Sequence, residues 1–526
     1  MFNVIEYLEK SAYNYKDKIA AIEEDKKITY RSLNNYSKKA GSYLIDENLF
    51  NELIIVFMDK GINSLIAFFS CVYAGCYYTL LNPQFPKKRI EQILSVTNAK
   101  YVITDDQHMQ LAKSYFKDLN ILNINEIKKY PLNNKKIKKV KEKHIDCDPL
   151  YVNFTSGTTG VPKGVIISHR SVIDFIDKFT KIFNFSNKDI IANQAPFDFD
   201  VSVKDIYSSI KMGATLVIIP KSYFSNPSRL LDYMCENKVT SLTWAVSALC
   251  LITTFHGLDY KVPKKVNKVI FSGEVMPIKH LNIWMSKLPK ATFVNVYGPT
   301  EITCNCTYHI IDRKRDYSEN IPIGKPFPNE RVILLDEENN EVIEKNKIGE
   351  ICVVGSSLAI GYFNNKEQTN KAFTQNNNQN NYLETLYHTG DLAFYNEKDE
   401  LIFSGRRDFQ IKYLGHRIEL EEIDKVIMQC DDVSRSCTIF DKKKSKIYAF
   451  YIGDIEKGDL RKKISEELPA YMVPTLLIKI DEFPMTKNGK IDRVELLKIK
   501  EGNKCTIMMK WLISFKLLYI YLILTN

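Results

Sequence analysis

No Cys-x-x-Cys pair occurs among the eleven cysteines of this chain, which removes the usual ligand spacing of structural zinc and leaves Cys304-x-Cys306 too little for a metal site. Scattered thiols without a framework point to a reduced, cytoplasmic protein rather than to disulfides. A signal-peptide layout is also missing. The start, Met-Phe-Asn-Val-Ile-Glu-Tyr-Leu-Glu-Lys, carries acids within its apolar pattern and reads as an amphipathic helix. Residues 511–525 are apolar but for Lys516, one serine and Thr525, yet shorter than the roughly twenty residues a spanning helix needs, so no transmembrane span is expected. Nor does one sign of charge dominate: 73 Lys and Arg are interspersed with 63 Asp and Glu, so the net +10 does not indicate a nucleic-acid surface. The one basic run, residues 135–143, reads as a flexible solvated loop without a catalytic role.

At 526 residues the chain exceeds a single core, and two or more domains are expected. Its organising stretch is Tyr151-Val-Asn-Phe-Thr-Ser-Gly-Thr-Thr-Gly-Val-Pro-Lys-Gly164. A β-prone run breaks there into a loop whose glycines permit positive φ and whose hydroxyls and amides can turn toward one anion. This is phosphate-cradle chemistry, but not the Walker A pattern, because Val-Pro-Lys-Gly follows Gly160 where that motif needs Gly-Lys-Ser/Thr. A bare Gly-x-x-Gly would suit an ordinary surface turn; fourteen residues with paired hydroxyls and Pro-Lys-Gly argue against one.

Residues 1 to about 130 alternate helical periodicity with short apolar runs such as 53–58 and 101–104, the pattern of βα units around a sheet. Pro196-Phe-Asp-Phe-Asp-Val-Ser-Val-Lys turns from a loop into a helix and places Asp200 at its first turn, where it could be a cap or an i,i+4 partner of Lys204. Val269-Ile-Phe-Ser-Gly-Glu-Val275 and Phe293-Val-Asn-Val-Tyr-Gly-Pro-Thr-Glu301 are strands ending in turns, as expected where parallel strands deliver loops to one ligand edge. After Thr303 shorter strands with hairpin-like turns, 331–340 and 349–355, suggest a small antiparallel or barrel-like subdomain. Tyr387-His-Thr-Gly-Asp-Leu392 and a run from Gly405 to Leu420 precede a final segment of mixed α and β pattern, which contains Asn488-Gly-Lys-Ile-Asp-Arg493.

Taken in this order from residue 28 to 493, these stretches resemble the adenylate-forming superfamily, and within it the amino-acid-activating enzymes that load carrier proteins. Asn193-Gln-Ala-Pro-Phe, Asp205-Ile-Tyr and Gly273-Glu-Val look most like the D-alanine-activating branch. The resemblance implies an α/β fold: a large N-terminal domain (1–407) of α/β sandwich subdomains plus a small β-barrel, a small mobile α+β lid (408–500) and a tail (501–526). It implies ATP and Mg²⁺ as cofactors, a small amino acid as substrate, D-alanine foremost, and a phosphopantetheinylated carrier. No carrier segment follows residue 493, so the carrier is expected to be a separate protein. A stand-alone nonribosomal adenylation enzyme for another amino acid is the alternative.

The same resemblance distributes roles. Lys490 would be catalytic, reaching the α-phosphate and the substrate carboxylate, and Glu301 and Thr155 would hold Mg²⁺. Thr155, Ser156 and Lys163 belong to the phosphate loop. Asp391 would take the ribose hydroxyls with Arg406 assisting, and Tyr297 would face adenine with Asn295 at its edge. Val296, Gly298, Pro299 and Thr300, with Phe403, Ser404 and Gly405, complete the nucleotide set. Asp200 would meet the α-ammonium, Ser272 and Cys304 would line the amino acid pocket, and Asp408 would be the hinge. Two departures bear on the substrate. Ser272 stands where the D-alanine branch usually has Cys, and Lys204 occupies a pocket-facing position that is commonly apolar there. Lys204 could pair with Asp200, swing to solvent or meet an acidic substrate.

Overall fold

A computed structural model describes residues 2–157, 162–442, 444–485 and 491–499. Lys490, the tip of the glycine-rich loop and the apolar tail lie outside the described residues. Two compact units part after Arg417.

The larger unit is built on two mainly parallel sheets. One runs, across its width, Lys325–Pro326, Thr307–Ile310, Thr292–Tyr297, Lys268–Ser272, Ser241–Ala245, Ile190–Asn193, Thr215–Ile218, Ile19–Glu23 and Lys26–Thr29. Its inner strands are parallel and its edges antiparallel. The other orders Gly361–Tyr362, Lys163–Ser168, Pro149–Thr155, Tyr77–Leu81, Leu53–Phe57, Tyr101–Thr104 and Asn120–Asn123.

Every residue of Leu53–Phe57 is apolar and buried, as a parallel strand covered on both faces must be. Ile54 and Val56 enter one core while Ile55 and Phe57 enter another, the two-residue alternation of a strand. The first of these cores joins residues of both sheets to helices Ile62–Tyr73, His169–Ile182 and Val201–Met212, so the helices fill the space between the sheets. Trp244 and Phe271, on the other face of the first sheet, pack with Leu230, Leu249 and Trp284 of covering helices. Parallel strands ending at Asn193, Ala245, Ser272 and Tyr297 send their following loops out along one edge.

Beyond Thr303 the chain forms a five-stranded antiparallel sheet, in which Gly349–Gly355 and Thr385–Tyr395 pair centrally and Leu401–Arg406 adds to the latter. Gln410–Tyr413 and His416–Glu419 then make a two-stranded ribbon. Leu414 and Gly415 at its tip have φ of 51° and 82°, the positive pair that a tight hairpin turn requires. The second unit contains helix Leu420–Met428, the antiparallel strands Val433–Asp441 and Lys446–Gly453, helix Lys457–Glu467 and a parallel strand Leu476–Lys479. Its own small core gathers Ile439, Tyr448, Phe450, Phe483 and Leu496.

The basic run is a helix and not a loop. Most of residues 135–143 form helix Asn134–Lys141, capped by the Asn133 side chain. Ile137 is buried, and Lys136 and Lys141 reach Asp46 and Glu9, each at 2.6 Å. Carboxylates far away in sequence offset the repulsion that made this stretch read as a loop.

Candidate active site

The phosphate-loop residues sit on a hairpin. Strands Pro149–Thr155 and Lys163–Ser168 pair antiparallel with Thr155 directly opposite Lys163, so hydroxyl and ammonium flank one loop mouth. Gly164 must lack a side chain, because a Cβ there would lie 2.8 Å from Val152 Cγ1 and 3.0 Å from Phe363 Cβ. Ser156 donates to the Arg417 carbonyl at 2.7 Å, and the Lys163 ammonium lies 5.9 Å from the Tyr362 ring centre. Tyr362 in turn donates to Glu301 at 2.8 Å, and Arg417 Nη1 reaches both Glu301 oxygens at 3.0 and 2.7 Å.

Glu301 is only 1% exposed. Burial alone would push its carboxyl up, but Arg417 and Tyr362 outweigh it and hold the group below its ordinary value. A buried, ionised carboxylate is hard-oxygen chemistry that fits Mg²⁺, an ion that keeps most of its shell as water and phosphate oxygens. Arg417 and Tyr362 make three contacts with Glu301, and Tyr387 faces the same carboxylate.

The carboxylate of Asp391 forms a second centre. It accepts from Tyr297 Oη at 2.5 Å and from Arg406 Nη1 at 2.6 Å. Strand pairing sets this up, since Asp391 lies opposite Arg406 in the antiparallel ladder. Arg406 continues to Asp408 at 2.6 and 2.8 Å, so the expected hinge residue is engaged through the nucleotide-side arginine. Each Asp391 oxygen retains a lone pair, which suits a vicinal diol. Tyr297 tilts against Phe403 at 6.2 Å, with the Lys412 ammonium 5.3 Å from its ring centre. Asn295 is committed elsewhere, donating to the Pro322 carbonyl at 2.9 Å. Val296 is core, Ser404 is exposed and Gly405 has φ of 143°.

Asp200 precedes helix Val201–Met212 in the cap position, but its side chain accepts no cap hydrogen bond. The cap reading therefore fails. Thr300, on the turn after Gly298 and Pro299, hydrogen-bonds the Asp200 carboxyl. Asp200 is 6% exposed; burial raises its pKa, and Thr300, Lys204 and Lys412 offset this only in part. A buried carboxylate short of cationic contact is a receptor for an ammonium. The neighbouring backbone is strained, with Thr303 and Cys304 left-handed at φ 45° and 78°, and Cys304 Sγ donates to the Asp200 carbonyl at 3.0 Å. Lys204, 1% exposed, neither pairs with Asp200 nor reaches solvent; it donates to Asn305 Oδ1 at 2.9 Å and to Ser272 Oγ at 3.3 Å. The two departures noted in the sequence thus touch each other.

Asp200 and Glu301 follow strands of the first sheet, and Asp391, on the antiparallel sheet, is tied to that sheet through Tyr297. The sequence profile of the AMP-binding enzymes matches residues 8–363. The chain belongs to the AMP-binding enzyme family. As an AMP-binding enzyme it is 31% identical over 513 residues to a D-alanine–D-alanyl carrier protein ligase of Bacillus cytotoxicus, covering 94% of this chain and 99% of that one. It is 30% identical to zwittermicin A synthase ZmaJ of Bacillus cereus, covering 92% and 93%. Tyrocidine synthase 3 of Brevibacillus parabrevis is also 30% identical, but this chain spans only 7% of its length. Among solved structures, a Vibrio cholerae adenylation domain, AlmE, in complex with glycyl-adenosine-5'-phosphate superposes with TM-score 0.82 at 20% identity, over 94% and 98% of the two chains. A Bacillus subtilis o-succinylbenzoate CoA synthetase superposes with TM-score 0.79 at 19% identity, over 94% and 98%. The fold is therefore shared by enzymes with different acids and acceptors.

Four residues of this AMP-binding enzyme carry geometry to which the sequence reading gave no role: Arg417, Tyr362, Lys412 and Asn305. Arg417 and Lys412 lay inside a stretch already singled out. Only the contact with Glu301, 116 positions away, reveals what Arg417 does.

Proposed function

We propose that this protein activates an amino acid with ATP, forming an aminoacyl adenylate and pyrophosphate, and passes the aminoacyl group to the phosphopantetheine thiol of a carrier protein. The observation that carries the reading is Asp200, a buried carboxylate at a helix head that caps nothing and faces the turn bearing Thr300.

In the first half-reaction the substrate carboxylate attacks the α-phosphorus, so two anions must be brought together and the developing charge met by placed cations. Asp200 orients the amino acid by its ammonium. Asp391 holds the ribose diol, with Arg406 and Tyr297 fixing its carboxylate. Thr155, Ser156 and Lys163 receive the leaving pyrophosphate. Glu301 and Thr155 would hold Mg²⁺, which when bound neutralises phosphate charge. Lys490, outside the described residues, is assigned from its motif to the reacting carboxylate and α-phosphate. In the second half-reaction the carrier thiol attacks the acyl carbon and AMP leaves.

Reduced thiols support a cytoplasmic location: the ten cysteines among the described residues are all unpaired. No described helix is long and apolar enough to cross a membrane. Two observations bear on the side chain. Near full-length likeness to carrier protein ligases supports D-alanine, whereas the polar group around Lys204 supports another amino acid, as in the nonribosomal relatives. Amino-acid-dependent ATP–pyrophosphate exchange across L and D amino acids tests the function. Exchange with at least one amino acid is expected, and exchange only with fatty or aryl acids would overturn the reading.

A further inference from the structure

One helical turn separates Asp200 from Lys204, which places their side chains on the same face, with Cβ atoms roughly 5–6 Å apart. Lys204 is buried, and the acceptors it has are neutral: Asn305 Oδ1 and Ser272 Oγ. No carboxylate oxygen is within ion-pair reach of its ammonium among the described residues. The two candidates are otherwise engaged. Asp205 accepts from Asn193 at 2.9 Å and from Thr243, and Asp200 accepts from Thr300.

An ammonium carries three N–H donors, and a buried charge stripped of water is costly unless a counter-ion meets it. Lys204 has two neutral acceptors and no anion, in the pocket where the amino acid side chain is proposed to lie. A lysine there to fill space would be better replaced by a hydrocarbon. Ser272 adds to the argument. Its hydroxyl supplies an acceptor that holds the lysine in place at the end of strand Lys268–Ser272.

Resting on the reading of amino acid activation given above, we infer that Asp200 and Lys204 form a paired receptor for an acidic amino acid, Asp200 taking its α-ammonium and Lys204 its side-chain carboxylate. Binding would neutralise both buried charges at once, whereas alanine would leave Lys204 without an anion.

The test is pyrophosphate exchange by the full chain with both enantiomers of alanine, aspartate, glutamate, asparagine and glutamine. One acidic amino acid should exceed alanine and its own amide by at least about tenfold in kcat/KM. Lys204→Met should lower acid-dependent exchange ~10²-fold while raising that with alanine, because a buried charged hydrogen bond is lost and an unpaired charge removed. Since the variant could fail to fold, direct binding to the unmodified protein gives a second measurement: aspartyl- or glutamyl-sulfamoyl adenosine should bind more tightly than alanyl-sulfamoyl adenosine. Preference for D-alanine in both assays overturns this inference and leaves amino acid activation standing. Absence of exchange with every amino acid overturns the underlying reading, and this inference with it.

Discussion

A carboxylate that sits at a helix head without capping it has to be explained by something other than the helix, and Asp200 is such a group. Replacing it with alanine should lower kcat/KM for the amino acid about 10²- to 10³-fold, the effect of breaking a buried charge pair, while nucleotide binding in a fluorescence titration stays unchanged. Equal loss of nucleotide affinity would make Asp200 structural. Its titration gives a second handle. Burial raises the Asp200 carboxyl above the ordinary value of about 3.9, and only the ionised form holds an ammonium. The amino acid KM should therefore climb as pH falls through that raised value, and Asp200→Asn should remove this limb from the KM–pH profile. The sequence made Asp200 and Asp391 legible because motifs fix them locally. It could not show that Lys204 turns to Asn305, 101 positions on, rather than to Asp200, four positions back.

At the scale of elements, the turn after strand Thr292–Tyr297 is the tightest part of the site. A Cβ on Gly298 would stand 2.5 Å from Asn305 Cα and 2.8 Å from the Cys304 carbonyl, and neither backbone atom can yield as a side chain would. Gly298→Ala should destabilise the larger unit by about 1–3 kcal/mol, seen as a lower urea midpoint, and should reduce exchange by displacing Asn305 from Lys204. An unchanged midpoint would show that the turn has slack. Strands were readable wherever an apolar run was short and bounded, as at Tyr101–Thr104. Helix Asn134–Lys141 was not, because its stability draws on Ile137 packing and on Asp46 and Glu9 in other elements, which no local window contains.

For the molecule as a whole, the proposed division of labour between half-reactions is the strongest test. Lys490→Ala should cut adenylate formation ~10²- to 10³-fold, as expected on losing one transition-state charge stabiliser. Transfer from a supplied aminoacyl adenylate to the carrier should fall little. Equal losses in both steps would assign the lysine to folding or general binding. The order of motifs made the architecture legible from the sequence, but the tie of Arg417, the last residue of the first unit, to Glu301 is visible only in three dimensions. That residue is moored at two points, by its guanidinium to Glu301 and by its carbonyl to Ser156. Both moorings are groups that the proposed function assigns to the phosphates and their ion. If Ser156 and Glu301 engage phosphate and ion as proposed, nucleotide and Arg417 compete for the same atoms, and by reciprocity whatever loosens Arg417 strengthens the hold on nucleotide by an equal factor. Limited trypsin digestion reads this directly: with ATP and Mg²⁺ present, cleavage after Arg417 should quicken, and protection there would mean that the moorings survive ligand binding.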